Sequence, residues 1–331
     1  MPVKRFLVFV AILAVMASAC TGDGEEQAQG GDQTGGTGEA YSFYVVEHGS
    51  SGDPYWEVVK KGAEDAAALY GVDLTWLNPE QFSIQDVVDL LNSAIAAQPD
   101  GMLATIIDPA AVDPPLREAI EAGIPVIAID IPDTREFPEK IPYLFYIGPD
   151  DYIGGRRAAE RMLEEGPIER AACAIHEQGS IGLELRCQGF TDVIEAAGGT
   201  VDKLDIGQDP TEVQQVEQGY FTANPDATAI LTLGPVGAIP TIQFLEDQGL
   251  TGTIVHGSFD LDPTTNQSIE DGSTLFTIDG QPYLLGYQGI VFLYLQARYG
   301  FTLGSDMVTG PAIVDASNVG QIVALTEDRI R

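Results

Sequence analysis

Residues 41–77 read YSFYVVEHGSSGDPYWEVVKKGAEDAAALYGVDLTWL. A β-rich, aromatic run (41–46) opens the stretch. Asp53-Pro54 then suits a helix N-cap followed by proline at the first helical position. Trp56, Val59, Ala63, Ala66, Ala67 and Tyr70 recur at helical spacing, Gly71 ends that helix, and 72–77 reads as a second strand. Strand, helix and strand in so short a span form a βαβ unit, which predicts a parallel strand pair.

The same alternation runs outward to the C terminus. Helical stripes over 84–95 and 110–122 separate strands at 101–107 and 124–130, and a proline-rich loop leads to a strand at 143–148. A second series follows: helix 151–164, strand 171–176, helix 182–197, strand 200–206, helix 211–221, strand 229–233 and helix 237–248. It closes with strand 252–259, a short helix, strand 274–278, a long helix over 282–299 and a late strand at 311–316. Ten or eleven strands exceed one comfortable doubly wound sheet, so two α/β lobes with parallel sheets are expected.

Ahead of this body, Lys4 and Arg5 precede an apolar or small-residue run over 6–19. It is shorter than the ~20 residues a membrane span needs and reads as a signal peptide, 1–19. Ala17-Ser18-Ala19-Cys20 resembles a bacterial lipobox with Ala17 in the place usually held by leucine, making Cys20 the expected lipid acceptor. Ordinary cleavage that leaves Cys20 unlipidated is the alternative. Residues 20–40 contain seven glycines and no large apolar side chain, so they are expected to be a flexible linker behind the anchor.

The chain has 331 residues, with 16 Lys plus Arg against 50 Asp plus Glu, a formal net charge of -34. No basic footprint is left for nucleic acid, and polyanionic ligands are repelled. Apart from Cys20 the cysteines are Cys173 and Cys187. An even pair in an exported chain points to a disulfide; two buried free thiols are the other reading.

Ligands of open α/β sheets bind beyond the carboxyl ends of the strands. The residues that follow the expected strands are His48, Asp53, Tyr55 and Trp56; Asp108; Asp130; His176 and Glu177; Gly234; Asp260; and Asp279-Gly280-Gln281, with Arg186 nearby. Aromatic faces suit the apolar side of a pyranose, and carboxylates, amide and guanidinium suit vicinal hydroxyls. No GxSxG, Walker A or HExxH motif is present. Other readings of the same residues are a glycosidase carboxylate pair and a zinc site drawn from His48, His176 and His256. Structural roles also compete: Asp53 and Asp108 as helix caps, Trp56 as core, and Arg186 as partner of a neighbouring acid.

Six ordered blocks carry a resemblance: DPYWEVVKKGAEDAA (53–67), IPVIAIDIPD (124–133), LRCQGF (185–190), ILTLGP (230–235), GSFDLDP (257–263) and IDGQPYLLGYQG (278–289). They resemble the type I periplasmic sugar-binding proteins, the ribose-binding-like receptors of ABC importers. The resemblance implies two Rossmann-like lobes joined by a three-crossover hinge, one lobe from 41–150 plus 281–306 and the other from 151–280 plus 307–331. It implies ligand contacts from Asp53, Tyr55, Trp56, Asp108, Asp130, Glu177, Arg186, Asp260 and Gln281. Ile131 and Gly234 depart from the ribose receptors, which carry Arg and Asn there. The implied function is a lipoprotein that captures a neutral monosaccharide or polyol and delivers it to an ABC permease with its ATPase. A same-fold small-molecule sensor for a signalling partner is the alternative. The chain is expected to be a monomer outside the cytoplasm, at the outer face of the cell membrane or in a periplasm, touching the membrane only through its lipid. No enzymatic activity, cofactor, metal or nucleic-acid partner is expected.

Overall fold

The computed structural model describes residues 40–331. The expected signal peptide, Cys20 and all of the linker but its last residue lie outside the described residues. In the first lobe β1 (Ser42–Val46), β2 (Asp73–Leu77), β3 (Gly101–Ala104), β4 (Val126–Ile129) and β5 (Tyr146–Gly148) pair in parallel in the order β5-β4-β3-β1-β2. In the second, β6 (Arg170–Ile175), β7 (Thr200–Asp205), β8 (Ala229–Thr232), β9 (Val255–Phe259) and β10 (Phe276–Asp279) repeat it as β10-β9-β8-β6-β7. Strand order reverses between β1 and β3 and again between β6 and β8, the positions where open α/β sheets leave a crevice.

The helices, in chain order, are α1 (Pro54–Tyr70), α2 (Ile84–Ala96), α3 (Pro109–Glu121), α4 (Asp151–Leu163), α5 (Ile181–Ala196), α6 (Pro210–Ala223), α7 (Pro235–Asp247), α8 (Pro263–Asp271), α9 (Pro282–Tyr299) and α10 (Val323–Glu327). Four of them start alike: Asp53, Asp108, Asp209 and Asp262 cap with their carboxylates, and proline follows each. The central strands β3, β4 and β8 are covered on both faces and are buried throughout, whereas the edge strands β2 and β7 are partly exposed and carry polar residues such as Asp73, Asp202 and Lys203. In β3, Met102 and Ala104 enter one core while Leu103 enters the other. In β6, Cys173 and Ile175 face one side and Ala172 and Ala174 the other.

Close helix contacts carry the site-bearing segments. An added Cβ on Gly155 (α4) would lie 1.9 Å from the Arg186 carbonyl oxygen, and one on Gly189 (α5) 2.1 Å from that of Tyr152. The bare backbones let α4 and α5 touch, which brings Asp151 beside Arg186. Gly62 and Gly286 do the same for α1 and α9.

The chain crosses between the sheets three times: after β5 at Pro149-Asp150, after β10 at Gly280-Gln281, and between β11 (Met307–Val308) and β12 (Ala312–Asp315). β11 lies parallel to β5 in the first sheet and β12 antiparallel to β10 in the second. The expected division after 306 therefore falls too early, and the third crossover is Thr309-Gly310-Pro311. A two-residue strand has no periodicity to read. Gly310 has φ 54°, and a Cβ there would sit 2.5 Å from the Asp279 carbonyl oxygen, so the crossover needs glycine for torsion and for space.

Cys173 of β6 and Cys187 of α5 form a disulfide with both residues buried. It ties the strand that leads to His176-Glu177 to the helix that carries Arg186. Thiol titration of the denatured, unreduced protein is expected to find neither of these cysteines free. Reduction is expected to lower unfolding stability by about 3 kcal/mol, the chain-entropy value for a loop of this length. Two reactive thiols from these positions would contradict the bridge.

Candidate functional site

The strand ends of both lobes meet at one cavity. From the first lobe it is lined by His48, which follows β1, Asp53, Tyr55 and Trp56 at the start of α1, and Asp130 and Ile131 after β4. From the second come His176 and Glu177 after β6, Ser180, Leu183 and Arg186 at and along α5, Leu233 and Gly234 after β8, and Asp260 after β9. The interior is narrow, leaving about 40 Å³ for the centres of water-sized molecules. Each of its charged side chains is buried.

Asp130 and Asp260 hold equivalent places, each one residue past the strand next to the first crevice strand pair. Both have left-handed backbone, φ 65° and 61°. Such non-glycine residues are uncommon and cluster at working sites. The surroundings fix both. Asp130 N–H donates to the Ile147 carbonyl at 3.0 Å and Asp260 N–H to that of Ile278 at 2.7 Å. The Asp130 carbonyl accepts from the Tyr146 hydroxyl and the Asp260 carbonyl from Thr277 Oγ1.

Arg186 is sealed among acids. Its Nε donates to Asp151 Oδ1 at 2.7 Å, and its Nη1 to the Leu233 carbonyl at 2.7 Å and to Asp260 Oδ2 at 3.4 Å. The guanidinium lies 4.5 Å from the Phe259 ring centre. Burial pushes Asp260 up to about 7 against the pull of Arg186, and Asp151 up to about 6. Asp53 also rises to about 7, through burial and the nearby Glu177 charge, while its carboxylate caps α1 through the Tyr55 N–H at 2.9 Å.

On the facing wall the Tyr55 hydroxyl donates to Asp130 Oδ1. Trp56 packs edge-on to His48 at 5.1 Å between ring centres. His48 contacts Thr105 Oγ1 through Nδ1 at 3.0 Å, and its Nε2 faces Glu177 Oε2 across the cleft at 3.5 Å. Burial alone would lower His48, but the Glu177 carboxylate and then Asp130 and Asp53 carry it above its ordinary value. Burial would raise Glu177, yet His48 holds it below the usual carboxylate range.

Of the nine expected ligand residues, seven line this cavity: Asp53, Tyr55, Trp56, Asp130, Glu177, Arg186 and Asp260. Two do not. Asp108 caps α3, accepting from the Ala110 N–H at 2.8 Å and the Ala111 N–H at 3.3 Å. Gln281 sits in the second crossover with φ 60°, its N–H donating to Asp279 Oδ1 at 2.7 Å. Their position after strands was the same signal as for the others; capping and hinge geometry took them elsewhere. His48, His176, Ile131, Ser180, Leu183 and Gly234 line the cavity without belonging to that set. The two histidines carried the strand-end signal, whereas Ser180 and Leu183 had none. His256 is remote from a zinc site with them: it lies between Thr232 Oγ1 at 3.0 Å and Thr274 Oγ1 at 2.9 Å, and burial lowers it to about 3.

The family profile of the periplasmic binding protein domain matches residues 43–300. The chain belongs to that family. Its members are substrate-binding receptors of transporters rather than enzymes, and they work outside the cytoplasm. The chain is 30% identical over 278 residues to the xylose/arabinose-binding protein XylF of Sulfolobus acidocaldarius, covering 80% of this chain and 67% of that one. A carbohydrate transporter from Acidothermus cellulolyticus 11B, solved in complex with myo-inositol, superposes with a TM-score of 0.81 at 31% identity, over 88% of this chain and 100% of that one. A solute-binding protein of an ABC transporter from Agrobacterium vitis, bound with α-D-tagatopyranose, gives 0.79 at 25% identity, over 86% and 98% of the two chains.

The His48–Glu177 contact generates a pH prediction. The part due to Glu177, whose value is lowered on folding, is present above the ordinary carboxylate range and is lost as pH falls through the lowered value. The part due to His48, whose value is raised, is full below the ordinary 6.5 and is lost as pH rises through the raised value. Glu177→Gln is expected to lower the His48 titration midpoint read by NMR. It is also expected to lower unfolding stability near pH 6 by about 1.5–3 kcal/mol, the range for a hydrogen bond to a charged group. An unmoved His48 midpoint would contradict the pairing.

Proposed function

We propose that the protein is the solute receptor of an ABC importer, capturing a neutral monosaccharide or polyol between its lobes and delivering it to the membrane permease. One observation carries this reading. Buried side-chain polar atoms normally have partners. Here His176 Nδ1, Ser180 Oγ and Asp260 Oδ1 are buried without one, and all three residues line the cavity. Their positions suit a guest rich in hydroxyls, each of which both donates and accepts.

The charge of the site favours an uncharged guest. Asp130, Asp151 and Asp260 surround one guanidinium, and Asp53 and Glu177 line the same cavity, so a carboxylated or phosphorylated sugar meets repulsion. Trp56 supplies an apolar face and Arg186 a fork for adjacent oxygens. The sugars and cyclitol named for the relatives support the same class. In this reading the guest bridges two walls, and contacts from both sides favour the closed state that the permease meets. Cys20 carries the lipid anchor, and 21–40 is the tether.

Two measurements test the proposal. Calorimetry with myo-inositol, D-xylose, L-arabinose, D-ribose and D-tagatose is expected to find a binder. Asp260→Asn is expected to weaken that binder by roughly ten- to a hundredfold, the worth of a hydrogen bond to a charged group. Silence from the whole panel, or unchanged affinity in the variant, would refute it. Separately, Cys20→Ser is expected to move the protein from the membrane fraction to the soluble exported fraction; retention in the membrane would exclude anchoring through that cysteine.

A further inference from the structure

Register makes His48 and His176 counterparts. Val46 pairs with Ala104 in the first sheet and Ala174 with Thr232 in the second. Each histidine lies two residues beyond the first member of its pair, at the crevice where strand order reverses. One residue beyond the second member stands Thr105 in the first lobe and Leu233 in the second. The difference decides what each ring can do. His48 Nδ1 meets the Thr105 hydroxyl at 3.0 Å. His176 has an aliphatic residue at that place, and its Nδ1 is buried with no partner.

Gly234 completes the arrangement. Its φ of 164° and ψ of 169° are extended backbone open to any residue. Space is what constrains it: an added Cβ would lie 3.1 Å from His176 Cε1 and 3.5 Å from Nε2. The missing side chain leaves the imidazole room to lie against the chain and keep its place in the cavity wall. Burial lowers the ring's proton affinity, which favours the neutral form with one donor and one acceptor. A neutral ring in a site crowded with carboxylates can serve a hydroxyl in either sense.

We infer that His176 and Gly234 act as one specificity unit, in which the glycine makes room for an imidazole that hydrogen-bonds a single hydroxyl of the guest. The inference rests on the reading of the guest as a sugar or polyol and adds which residues select among them. A buried partner waiting for one hydroxyl rejects the analogue that lacks it far more strongly than an apolar wall rejects an extra group.

The test is a double-mutant cycle read by calorimetry on the best-binding member of the panel above and on its monodeoxy analogues. His176→Ala is expected to weaken that ligand about tenfold, the worth of a neutral hydrogen bond. Gly234→Ala removes no polar atom, yet is expected to weaken it roughly threefold by displacing the ring, because hydrogen bonds weaken steeply with misalignment. In the His176→Ala background Gly234→Ala is expected to have no further effect. One monodeoxy analogue is expected to be rejected by the unsubstituted protein and to bind His176→Ala as well as the parent sugar does. Additive losses, or His176→Ala binding every ligand as the unsubstituted protein does, would overturn the inference while leaving the sugar reading intact. Failure of the unsubstituted protein to bind any panel member would overturn both, and is told apart by that result alone.

Discussion

A guanidinium sealed from water is tolerable only where acids and carbonyls surround it. Arg186 meets that condition through three separate parts of the second lobe. Asp151 comes from the first turn of α4, Leu233 from the end of β8, Asp260 from the end of β9, and the Phe259 ring covers one face. Each part depends on a backbone device: the glycine contact of α4 with α5, the disulfide one residue beyond Arg186, and the left-handed turn at Asp260. Removing Asp151 or Asp260 would leave a buried charge short of a partner. The wall of the cavity is thus a by-product of satisfying one cation.

The two lobes use the same plan for different ends. In the first, polar groups are spent on one another: Tyr55 on Asp130, His48 on Thr105, Asp53 on the α1 cap. In the second, the counterpart positions hold unspent atoms, at His176 and Asp260. The first lobe is a preformed floor, whereas the second holds buried polar atoms that have no partner within the protein. Such division suits a molecule that must discriminate at the moment of closing, since an empty closed cleft leaves polar groups unpaired.

The βαβ period was legible because the central strands are buried on both faces and read as apolar runs, and because aspartate-proline pairs mark four helix starts. β11 was illegible at two residues, and the first lobe's boundary moved with it. The site was legible to the extent that strand ends mark it. That rule cannot separate a carboxylate that caps a helix from one that faces the cleft. Asp108 and Asp130 both follow strands, yet the former serves α3 backbone amides and the latter turns left-handed into the cavity. Torsion at the residue, which no composition reveals, makes the difference. Ser180 and Leu183 face the cleft only because α5 begins beside it, a matter of lobe placement rather than local sequence.

Closure itself can be put on an energy scale. An unmet buried polar group costs about 1–3 kcal/mol, so three of them burden the empty closed form by roughly 3–9 kcal/mol. Turning a two-state balance from one part in a hundred to ninety-nine needs about 5.5 kcal/mol of differential binding. A guest whose hydroxyls meet His176, Ser180 and Asp260 would relieve a burden of that order in the closed form, where these groups are cut off from water. The His48–Glu177 contact acts in the other sense, rewarding closure without a guest. That contact, the Arg329–Glu57 ion pair at 2.8 Å and the Ile181 N–H bond to the Ile107 carbonyl at 3.4 Å all join the lobes, and their balance against the three unpaired atoms sets how far the lobes shut before a ligand arrives.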